Sequence, residues 1–145
     1  MSEHGDTQAQ AALQQAELLA AQSREDDAIA LVETQLALTP DHPDLLQMLG
    51  WLLIRVHRDA AAIRVLEGLV GLDPQHESAR YLLSYAYGHI GDHEQAEVNI
   101  ASCLSADPQS ASYHFQYARV LTLGADTGRR VSGRTKKLAL SHVET

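Results

Sequence analysis

Cysteine is almost absent. Cys103 stands alone, so no disulfide can close within the chain and a cysteine-based zinc site is not expected. Lysine is scarcer than the chain length would suggest, and occurs only at Lys136 and Lys137. Up to Leu123 there are 17 Asp+Glu against 6 Lys+Arg, so the body lacks the basic stripe that a nucleic-acid surface requires. Long hydrophobic runs are missing too. The most apolar window, LLQMLGWLLIRV, is 12 residues long, too short to span a bilayer, and membrane insertion is not expected. The opening MSEHGDTQAQ has neither the basic start nor the apolar stretch of a secretory signal, which makes the cytoplasm the default location. Aromatic residues make up only 5% of the 145 residues, and β-branched residues are few. What remains is rich in Ala and Leu, a composition that favours helix over strand and, at this length, suggests one domain.

The few prolines organise the chain. Pro40, Pro74 and Pro108 recur with a 34-residue period, each after a similar lead: ALTP, GLDP, SADP. A proline cannot continue a helix and disfavours helical geometry in the residue before it, so each marks a helix end. Ala28, Ala62 and Ala96 keep the same period, as do the small residues Ala16, Gly50, Ser84 and Ala118. Three positions after these come the large apolar residues Leu19, Leu53, Tyr87 and Leu121, and four after the alanines come Val32, Leu66 and Ile100. Small side chains on both of two antiparallel helices let the helices approach closely.

This period and pattern resemble the tetratricopeptide repeat (TPR), a helix–turn–helix unit. The resemblance implies an all-α TPR solenoid of three helix–turn–helix repeats plus a C-terminal capping helix. The repeats fall at 9–42, 43–76 and 77–110, and the capping helix at 111–123. A polar tail, 1–8, precedes them and a basic tail, 124–145, follows. The pattern is broken in places. Gln15 stands where a large apolar residue is usual, and Arg80 and His114 occupy a position that is usually bulky and apolar. The third repeat turns on Gly91–Asp92, the first two on Ser23–Arg24 and His57–Arg58. Repeat 1 is therefore expected to be the least stable unit, and a weak end of a stack frays alone.

In TPR proteins the first helix of each repeat lines the concave surface. The resemblance carries this role to Leu13, Gln47, Trp51, Ile54, Tyr81, Tyr85, His89 and Phe115. Tyr81 and Tyr85 lie four apart, hence on one helix face, while Tyr87 and Tyr117 fall on core positions. A chain with so few rings that places four on groove positions is expected to bind an apolar protein segment, because Tyr and Trp dominate interface hot spots. Self-association as a homodimer, or cover by the protein's own tail, would bury the same rings. Capture of a chaperone's C-terminal carboxylate needs Lys, Arg and Asn in the groove. Here the repeats have no Lys, and their only Asn is Asn99, on a second helix.

Other chemistry finds little support. His89 and His93 have the spacing of a helical zinc pair, but the turn Gly91–Asp92 lies between them, so no metal site is expected. His42 and His76 recur after prolines, in loops, where capping or solvating the helix ends suffices as a role. Cys103 falls on a core position and is expected to be a buried, inert thiol. There is no phosphate-binding G-x-x-x-x-G-K-S/T, no H-E-x-x-H and no G-x-S-x-G, so neither an enzyme nor a cofactor is expected. The tail GRRVSGRTKKLALSHVET suggests a solvated segment or a short helix over 135–143. The run 45–76 is similar to small TPR chaperones of bacterial type III secretion systems, which hold an export substrate until it is secreted. That resemblance implies a secreted type III component as partner. A scaffold subunit bridging proteins in an envelope or pilus assembly is the alternative.

Overall fold

The computed structural model describes residues 3–126, and all its regular structure is helical. The helices are α1 (Glu3–Ala21), α2 (Glu25–Leu38), α3 (Pro43–Arg55), α4 (Asp59–Leu72), α5 (Glu77–His89), α6 (His93–Ala106) and α7 (Ala111–Asp126). The basic tail from residue 127, with the expected segment 135–143, lies outside the described residues.

One local design produces each helix–turn–helix unit. Residues 23, 57 and 91 adopt left-handed backbone, with φ of 60° at Ser23, 63° at His57 and 86° at Gly91. The next residue then bonds back across the helix end. Arg24 N–H donates to the Leu19 carbonyl at 2.8 Å, Arg58 to Leu53 at 2.8 Å and Asp92 to Tyr87 at 2.9 Å. This is the Schellman closure, which satisfies carbonyls that a helix end leaves unpaired. The second helices stop two residues short of Pro40, Pro74 and Pro108. Each following first helix is capped by a side chain of the same period. His42 Nδ1 accepts from Leu45 N–H at 3.4 Å, His76 Nδ1 from Ala79 N–H at 3.1 Å and Ser110 Oγ from Tyr113 N–H at 3.3 Å.

Two compact units divide the chain, residues 1–79 and residues 80 onward, and the division falls inside α5. A chain of this length suggests one domain, but repeats concentrate their contacts among neighbours. In the first unit α1 packs on α2, α2 on α3, α3 on α4, and α1 also meets α3. Its fully buried side chains include Leu45, Leu52, Leu66 and Leu69. Ala16, Ala28 and Ala62 are completely enclosed, as the small-residue series predicts. At Gly50 the fit is tightest: an added Cβ would lie 2.6 Å from Leu66 Cγ and closer still to Cδ2. In the second unit α6 packs on α7. Ile100, Cys103, Tyr117 and Leu121 form its core, so the thiol is buried as expected.

Three expectations shift. The first helix reaches back to Glu3 rather than starting at residue 9, and in the added segment Asp6 Oδ1 lies 4.0 Å from His42 Nε2. Helix α7 runs past Leu123 to Asp126, and Gly124 is buried. Tyr87 takes the register of the buried Leu53 yet is only half-buried, consistent with a phenol whose tip favours water. The irregular Arg80 and His114 find polar partners instead of apolar ones. Arg80 Nη1 donates to Asn99 Oδ1 at 3.4 Å, and His114 Nε2 lies 2.7 Å from the Pro108 carbonyl.

Candidate functional site

In the first unit, side chains from α1 and α3 enclose an open cleft of about 520 Å³. Leu13, Met48 and Trp51 supply its apolar surface. Glu17, Asp44 and the amides of Gln14 and Gln47 supply its polar surface. Trp51 is half-buried, and the Arg55 guanidinium lies over its ring at 4.9 Å from the centroid. That guanidinium is itself held, since Arg55 Nη2 donates to Glu25 Oε2 at 2.9 Å. The hydrogen bond from Arg55, more than any other influence, keeps the Glu25 carboxyl below the usual glutamate range. The chain Glu25–Arg55–Trp51 therefore links the indole to the start of α2. Ile54, half-buried, is not part of the cleft wall.

In the second unit the rings meet each other. Tyr81 and Tyr85 stand edge to face with centroids 5.3 Å apart, and their hydroxyls are 3.3 Å apart. Tyr113 packs on Tyr81 at 5.1 Å, and His89 lies 6.4 Å from Tyr85. The Arg119 guanidinium sits over Tyr85 at 5.7 Å. Tyr81 also rests on the core formed by Ile100, Cys103, Tyr117 and Leu121. Burial, and then the neighbouring Tyr85 hydroxyl, push its pKa up to about 12. Beneath the rings runs a polar chain. Gln116 Nε2 donates to Ser84 Oγ at 3.2 Å, and Ser84 Oγ donates to the Tyr81 carbonyl at 2.6 Å.

Of the residues singled out in the sequence, Leu13, Gln47 and Trp51 thus come together in one unit, and Tyr81, Tyr85 and His89 in the other. Phe115 stands apart: it is 65% exposed and has no ring partner among the described residues. Met48 and Tyr113 were not singled out. Met48 is a neighbour of Gln47 and lies three before Trp51, so helical spacing signals it. Tyr113 shares the 34-residue register of Leu45 and Ala79, both buried, and that register signals a ring turned toward the protein.

His89 closes α5 and His93 opens α6, so no helix runs through the pair. His93 is 8% exposed, its Nδ1 makes no hydrogen bond, and it lines a cavity of about 30 Å³ with Tyr85, Gln116 and Arg119. Among the described residues no three His, Cys, Asp or Glu side chains are arranged to hold a metal ion, and no helix is long and apolar enough to cross a membrane.

Family models described as tetratricopeptide repeat match residues 19–84 and 77–110. No curated protein matches the sequence. Solved structures do match the fold. MamA from Desulfovibrio magneticus RS-1 is 22% identical, over 92% of this chain and 70% of that one, with a TM-score of 0.76. The first TPR of Spaghetti (RPAP3), bound to the HSP90 peptide SRMEEVD, is 17% identical over 82% and 94%, with a TM-score of 0.77. A thermophilic TPR protein of Thermus thermophilus is 25% identical over 94% and 75%, with a TM-score of 0.72. With its helix–turn–helix period, its repeated helix closures and family models reaching from residue 19 to residue 110, the chain belongs to the tetratricopeptide-repeat family, an all-α solenoid class of protein-interaction modules.

Proposed function

We propose that this protein is a non-enzymatic chaperone that holds an apolar segment of a protein partner against its first helices, and that the partner is a secreted component of a type III secretion system. The observation that carries the binding reading is Trp51, half-buried on an open cleft with the Arg55 guanidinium over its ring. A rigid aromatic side chain at a cleft gives contact area at little entropic cost, the property of interface anchors. The type III assignment rests on the likeness of residues 45–76 to small chaperones of those systems. Peptide binding by the RPAP3 repeat domain supports the mode. The acidic character of that peptide, with two glutamates and an aspartate, does not suit a cleft that carries Glu17 and Asp44.

Trp51, the only tryptophan, reports directly. Its emission should be open to quencher in the free protein and protected when a secreted type III component is added. Trp51→Ala with Tyr85→Ala should weaken that complex by at least about 2 kcal/mol, the size of a hot spot, with the far-UV spectrum little changed. Shielding of Trp51 in the dilute free protein would defeat the reading. A bridging or self-associating module is the second reading, favoured by the exposure of Phe115 and Leu123 on α7. It predicts shielding that grows with protein concentration and is reduced by Phe115→Ser.

A further inference from the structure

The cleft between α1 and α3 has a sign. Glu17 and Asp44 reach it from the two helices, and neither has an ion-pair partner among the described residues. No cation lines the cleft. The nearby guanidinium of Arg55 is committed to Glu25 at 2.9 Å and to the Trp51 ring. Around the cleft the unit is strongly acidic: residues 1–79 hold 13 Asp+Glu against 4 Lys+Arg. In residues 80–123 the count is 4 against 2. A surface of one sign raises the local concentration of oppositely charged ligands and repels like charge.

The geometry points to a cationic, amphipathic segment of the protein partner as the occupant of this cleft, with Lys or Arg side chains at Glu17 and Asp44 and an apolar side chain on Leu13, Met48 and Trp51. The inference rests on the protein-binding reading above and adds to it the charge and pattern of the segment bound. Both halves of the pattern are needed. Exposed carboxylates alone would hold only a weak, screened ion pair, and the apolar floor alone would not choose between sequences. A volume of about 520 Å³ lies within the range of sites that enclose a few side chains. Gln14 and Gln47 add amides that can both donate to and accept from a peptide backbone.

The test uses the full chain and three short synthetic peptides with one leucine pattern and no tryptophan. Their polar positions carry only Lys, only Gln or only Glu, and Trp51 emission follows each titration at low and high salt. The Lys peptide should bind about tenfold more tightly than the Gln peptide, the scale of two partly screened ion pairs, and the Glu peptide most weakly. Salt should erase the Lys advantage and leave Gln-peptide binding nearly unchanged. Glu17→Gln with Asp44→Asn should do the same, in near-isosteric substitutions. Equal affinity for the Lys and Gln peptides, or preference for the Glu peptide, overturns the charge inference while leaving the protein-binding reading intact. If no peptide protects Trp51, the inference falls together with the groove on which it rests. The salt dependence is read on the unaltered protein, so the test does not depend on the double variant folding.

Discussion

The two units use the same repeat to present opposite chemistry. The ninth position of successive repeats holds Glu17 and Trp51 in the first unit, and Tyr85 and Arg119 in the second. In the first unit that register leaves an open, acidic cleft beside one pinned indole. In the second it gives a cluster of tyrosines packed on each other, on the core and under Arg119. The backbone closures at Ser23, His57 and Gly91 are alike in both. A repeat thus constrains the residues that join its helices and leaves the outward register free to vary, which is how one architecture serves many partners.

The largest expected effect tests the small-residue position that the two units fill differently. Gly50→Ala should cost about 1–3 kcal/mol, because its Cβ meets Leu66, less a fraction returned by better helix propensity. Thermal melts of the cycle with Leu66→Ala check the cause: the penalty should disappear once Leu66 is truncated. In the second unit the same register holds Ser84, and Ser84→Ala should cost about 1–2 kcal/mol by leaving the buried Gln116 amide without its acceptor. An unchanged melting midpoint there would mean that the polar chain contributes nothing.

The turns come next. Gly91→Ala should destabilise by about 1 kcal/mol, as its left-handed φ of 86° disfavours a side chain although a Cβ there meets nothing within 4 Å. His57→Gly and Ser23→Gly should each stabilise by about 0.5–1 kcal/mol for the converse reason. Opposite signs in denaturant titrations would confirm that turn strain distinguishes the repeats. If the signs agree, the left-handed geometry is not what matters.

The smallest effects are pH responses at opposite ends of the scale. Glu25 has its pKa lowered in the folded state, chiefly by the hydrogen bond from Arg55. Its contribution is therefore present above the ordinary glutamate value of 4.5 and lost as pH falls through the lowered one. Acidification should release Arg55 and change Trp51 emission, and Glu25→Gln should abolish that acid-side step. Tyr81 has its pKa raised from 10.0 to about 12, so its folded environment favours the neutral phenol and loses stability as pH climbs through that interval. Tyrosine absorbance should show one late-ionising phenol, removed by Tyr81→Phe.

Sequence alone determined the repeat. The prolines and the small residues recur because a helix ends before proline and two helices pack tightly only where side chains are small, and these constraints are local. The resemblance to the family, and not the local pattern, implies that Trp51, Tyr81 and Tyr85 are outward positions of first helices. Tertiary structure alone decided what each outward position does. Tyr81 leans on Ile100 and Cys103, residues about twenty positions away, and so belongs partly to the core. Tyr113, not Phe115, stacks on it. Arg55 covers Trp51 because Glu25, on another helix, holds it there. Glu17 and Asp44 share a cleft only because α1 and α3 pack side by side. Register in one helix is a property of neighbouring residues, whereas contact, burial and charge pairing arise between residues distant in the chain, and no local pattern encodes them.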